Sequence, residues 1–83
     1  MTLKEVLATV SVKRYIDISQ YDKNAEGHVK TIWSGLRGNV SLDDLKGIDS
    51  REVCALIPYI ERSENGREDD KPVLMIYLLD KRL

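Results

Sequence analysis

Cysteine and histidine are scarce in this chain and an excess of positive charge is missing, and each lack removes a class of explanation. A single cysteine, Cys54, leaves no internal disulfide, and one Cys with one His falls short of the roughly four ligands a structural zinc needs. The only histidine, His28, stands at an expected hairpin turn far in sequence from Cys54, so no nucleophile and base are visibly paired. No Walker loop or dinucleotide fingerprint is present, and Asp69-Asp70 lie outside any D-x-[DN]-x-[DN]-G-x₅-E calcium spacing. The expectation is a protein that is not an enzyme and carries no cofactor or metal. Lys and Arg number 13 against 14 Asp and Glu, which excludes a global pull on nucleic acid. A basic-then-apolar leader and a run of about 18 apolar residues are both missing, so a soluble cytoplasmic protein with no membrane partner is expected.

What is present suits one folded domain, residues 1–83. Hydrophobic residues make up 42% and charged residues 33%, a balance that favours a core over disorder. Thr2-Leu3-Lys4-Glu5 fits a capping box, and Leu3, Val6, Leu7 and Val10 then line one helical face. From Arg14 to Tyr21 the period falls to two, with Ile16 and Ile18 on one side and Tyr15, Asp17, Ser19 and Tyr21 on the other. "DKNAEG" supplies turn chemistry before a second alternating run, His28 to Ser34. Ser41-Leu42-Asp43-Asp44 is an N-cap for a second short helix that Gly47 would end. "REVCALIPYIE" reads as a third strand in which Pro58 forces a bulge, an edge or an early end, and Cys54 reads as a partly buried, unreactive thiol. The sum is an α+β domain in the order α-β-β-α-β-β, with two short helices on an antiparallel four-stranded sheet.

The fourth strand carries seven consecutive apolar or aromatic residues, Val73 to Leu79, so both of its faces must leave water. Helices can cover one face. The other calls for a curled, barrel-like sheet or a second subunit, which makes a homodimer through strand 73–79 one expectation.

Gly35-Leu36-Arg37-Gly38 resembles the G-x-x-G loop of KH nucleic-acid-binding domains, where backbone amides approach phosphates. In that family the loop joins two helices; here a strand precedes it, and two glycines that only bend the chain explain it as well. Charge is split along the sequence. Residues 13–37 hold five basic and three acidic side chains, whereas 43–71 hold nine acidic and five basic. This split suggests two partner surfaces. The first is acidic, Glu61, Glu64, Glu68, Asp69 and Asp70, with Trp33 and Tyr21 as an aromatic contact, facing a basic protein. The alternative is a basic hairpin for nucleic acid using Lys13, Arg14, Lys30 and Arg37.

An LKEVL helix (Leu3 to Leu7), a strand ending in Tyr21-Asp22, an Asp49 to Val53 strand entry and an apolar last strand together resemble short proteins of Firmicutes bacteriophages and integrated mobile elements. The resemblance brings no catalytic residue. It implies a bacterial host cell and a non-enzymatic binding role, such as inhibition of a host defence system by surface occlusion.

Overall fold

The structure is a computed structural model that describes residues 1–41, 43–61 and 71–79. It is a small α+β fold. Helix α1, Leu3–Thr9, begins at the expected capping box: the Glu5 amide donates to the Thr2 hydroxyl at 3.3 Å and the Thr2 amide to the Glu5 carboxylate at 2.9 Å. Hydrogen bonding by Thr2, first through its backbone and then through its side chain, holds the Glu5 carboxyl below its ordinary range. Leu3, Val6 and Leu7 are the buried stripe of the helix.

Strands β1 (Tyr15–Tyr21) and β2 (Val29–Leu36) form the first hairpin, and β3 (Val53–Glu61) and β4 (Lys71–Leu78) are a second antiparallel pair. The sheet is mixed, not antiparallel throughout, because β1 and β4 run parallel at its centre in the order β2-β1-β4-β3. The order leaves β2 and β3 as two open edges, so the sheet does not close into a barrel. The long apolar run of β4 is therefore a central strand hydrogen-bonded on both sides, and edge pairing is left to β2 and β3.

The second expected helix is replaced by turns. Its cap does form, with Asp44 N–H donating to Ser41 Oγ at 3.1 Å and Ser41 N–H to the Asp44 carboxylate at 2.9 Å. Beyond the cap the chain makes i→i+3 bonds, Lys46 to Asp43 and Ile48 to Leu45. Too few residues separate the cap from Gly47 for a helix to repay its nucleation. Tertiary burial fixes the segment instead: Val40, Leu45 and Ile48 pack beside α1 on the cluster that holds Ile16, Ile18, Ile76 and Leu78.

Pro58 takes the edge option. Leu79 N–H donates to Glu52 C=O at 2.9 Å while Val53 N–H turns outward to Met1 C=O at 2.8 Å. Alternation along β4 from Leu79 then aims the backbone of Leu56, Pro58 and Ile60, the partners of Ile76, Leu74 and Pro72, away from the sheet. A proline at the centre of that free edge removes a donor that no ladder needs and discourages a further strand from pairing there. Cys54 is the residue skipped between the Val53–Leu78 and Ala55–Tyr77 pairs. That bulge leaves it exposed rather than partly buried, its thiol donating to Tyr77 C=O at 3.3 Å.

Candidate functional site

The G-x-x-G segment turns the chain, and two of its amides are already used. Arg37 N–H donates to Arg14 C=O at 2.8 Å and Gly38 N–H to Val12 C=O at 2.9 Å. The Arg37 guanidinium reaches back to Leu7 C=O at 3.0 Å, a second bond to a carbonyl near the helix C-terminus that already accepts from Val10 N–H at 3.2 Å. A β-carbon on Gly38 would stand 3.0 Å from the Val12 carbonyl oxygen, a backbone atom with little room to yield. Gly38→Ala is therefore expected to cost about 1–3 kcal/mol of stability in urea unfolding. A phosphate-binding loop would give the opposite result, full stability with altered binding.

The two sheet faces differ in kind. One is covered by α1 and the β2–β3 crossover. The register places Tyr15, Asp17, Ser19 and Tyr21 of β1 on the second face with Val73, Met75 and Tyr77 of β4 and Ala55, Ile57, Tyr59 and Glu61 of β3. All four tyrosines of the chain thus share one face. Tyr59 must span two strand spacings, about 9.5 Å, to reach β1, so its ring lies across β4. It does reach, its hydroxyl donating to Asp17 Oδ2 at 3.1 Å. The crossing helps explain why Val73, on the same face, is only 3% exposed. The large side chains of this face cover part of β4, where a curled, barrel-like sheet or a second subunit was the expectation, and the open strand order removes the barrel.

Asp17 is the centre of the face. The Ser19 hydroxyl, itself fully buried, donates to Asp17 Oδ1 at 2.6 Å. Burial first, then the Asp17 charge and the bond to it, push the Tyr59 phenol above its ordinary range. Beside this pair the Lys71 ammonium lies 4.9 Å from the centroid of the Tyr15 ring.

The residues proposed from sequence are dispersed relative to this face. Trp33 pairs with Ile18 and packs on the covered side, whereas Tyr21 is on the tyrosine face, stacked on His28 with centroids 6.0 Å apart. The two do not form one aromatic contact. Glu61 is exposed at the end of β3, and Glu64, Glu68, Asp69 and Asp70 lie outside the described residues. Among the basic residues, Lys13 is exposed in the turn before β1, Arg14 is half-buried with an unpaired Nε, Arg37 is tied to α1, and Lys30 pairs with Gln20 on the helix side. Lys13, Arg14 and Arg37 are brought together at one end of the β1–β2 hairpin, where Arg37 N–H bonds Arg14 C=O, and Lys30 lies near its other end. His28 and Cys54 belong to opposite edges of the sheet.

Asp17, Tyr15, Tyr59 and Tyr77 are the site residues that the sequence did not single out together. The period-two pattern already put Tyr15 and Asp17 on one side of their strand. What it lacked was the adjacency of β1 and β4, which brings Tyr77 beside Ser19 and lets Tyr59 reach across.

Among the described residues no helix is long and apolar enough to cross a membrane. No protein-family model, curated protein or solved structure matches the chain.

Proposed function

We propose that this chain is a non-enzymatic binding domain that docks on and occludes a basic surface of a protein partner. The observation that carries the reading is the second sheet face, which bears four tyrosines with the carboxylates of Asp17 and Glu61 and on which no described helix is packed. Tyrosine suits such a role because it offers a large, stiff contact with a polar tip. The acidic stretch is bounded in sequence by two residues of this face. Glu61 and Lys71, which bound it, are paired across β3 and β4, and Val73, two residues on, pairs with Tyr15 and Tyr59. In the setting implied by the resemblance to phage and mobile-element proteins, the partner would be a component of a bacterial defence system, inhibited because its basic groove is filled. Nucleic-acid binding through Lys13, Arg14, Lys30 and Arg37 is the reading that a nuclease control separates from this one.

The test is capture of partners by the tagged chain from host lysate, with and without nuclease, beside a variant with Glu64, Glu68, Asp69 and Asp70 changed to lysine. The expected result is a nuclease-resistant protein whose affinity falls about tenfold or more in the variant and with rising salt, while the melting temperature is unchanged. Equal retention by both forms would overturn the acidic contact, and retention abolished by nuclease would favour the basic hairpin.

A further inference from the structure

We propose that Asp17, with Tyr15 and Tyr59, forms a receptor for one arginine side chain of the basic partner. The inference rests on the functional reading above and names the contact through which it would act. Each Asp17 oxygen accepts one hydrogen bond, Oδ1 from Ser19 and Oδ2 from Tyr59. A carboxylate oxygen has two acceptor positions, so one remains on each. The two oxygens of one carboxylate match the parallel N–H pair of a guanidinium.

Charge and surroundings agree with this occupant. Among the described residues no Lys or Arg nitrogen lies within 4.0 Å of Asp17, so its charge is balanced by hydrogen bonds alone. Asp17 is half-buried, which weakens solvent screening of an incoming cation. One ring beside it already holds positive charge: Lys71 sits over Tyr15, so an arginine at Asp17 shares that ring with the lysine or displaces it. An ammonium could use the ring but offers no planar fork to the two oxygens. Arginine therefore fits better than lysine.

The experiment titrates N-acetyl-arginine-amide into the isotopically labelled protein at low salt, followed by amide NMR, with the lysine and citrulline analogues in parallel. Citrulline keeps the shape of arginine and loses its charge. Saturable shifts are expected at residues 15–19, 59 and 73–77 for arginine, weaker ones for lysine and none for citrulline. Asp17→Asn should weaken arginine binding about tenfold or more, the scale of lost charge-assisted hydrogen bonds. Tyr15→Leu should weaken it about threefold, the scale of an exposed cation–π contact. The spectrum of each variant shows whether it is folded, and Tyr15→Leu carries the test if Asp17→Asn is not. Equal shifts for arginine and citrulline, or arginine shifts that neither variant weakens, would overturn the receptor. That failure is separable from failure of the functional reading, since a salt-sensitive protein partner in the capture experiment would survive it.

Discussion

Ile76→Ala is expected to remove about 3–4 kcal/mol of stability, against a total of about 4–12 kcal/mol for a domain of this length. Ile76 is fully buried in the middle of β4, between Ile18 on β1 and Leu56 on β3, and belongs to the cluster that receives Leu3, Val6 and Leu7 of α1. Truncation there leaves a cavity lined from both layers, which two central strands and a helix cannot close together. Ile57, an isoleucine of the equally apolar β3, is 46% exposed, and its loss should cost under about 1 kcal/mol. Urea unfolding of both variants checks the contrast. A large fall in midpoint for Ile76→Ala with little change for Ile57→Ala is the expected pair. Equal losses would mean that β3 is covered as fully as β4 and that its apolar residues belong to the core.

This contrast shows where sequence patterns carry information and where they stop. The capping box at Thr2–Glu5, the stripe of Leu3, Val6 and Leu7, and the alternation from Tyr15 to Tyr21 are local. Each is decided by neighbours within a turn or along one strand, and each is found in the structure. The Ser41–Asp44 cap is equally local and also forms, but a cap does not determine whether a helix grows from it. There the burial of Val40, Leu45 and Ile48 won over helix propensity. The continuous apolar run of β4 did say that both faces leave water. Two residues far apart in sequence, such as Asp17 and Met75, must become neighbours before one can say what covers them. Sequence-adjacent strands pair most often, which makes an all-antiparallel sheet the natural expectation and hides the parallel β1–β4 centre. The candidate site suffers the same limit. Tyr15 and Asp17 are legible as one face of one strand, but Tyr59 joins them only through that centre.

Trp33→Ala is expected to lower stability by about 2–3 kcal/mol, somewhat less than the usual cost for a fully buried tryptophan because the side chain is only half-buried. A tryptophan in a hairpin strand, near tyrosines and basic residues, reads from sequence as a contact residue. The register instead sets it opposite Ile18, on the face covered by α1 and the crossover. Its ring also fills the space above Gly35, where a β-carbon would approach within 3.1 Å, so the glycine and the tryptophan are fitted to each other. Tyr21, proposed beside it as a partner contact, is on the other face at the end of β1 and should cost under about 1 kcal/mol as alanine. In thermal melts the expected loss for Trp33→Ala corresponds to a fall of about 10–20 °C in Tm, whereas Tyr21→Ala should scarcely move it. An unchanged Tm for Trp33→Ala would restore Trp33 as a partner contact. The expected fall would assign any loss of partner binding in that variant to the fold, so that only substitutions on the tyrosine face, where Asp17 and Tyr15 stand, report on the contact itself.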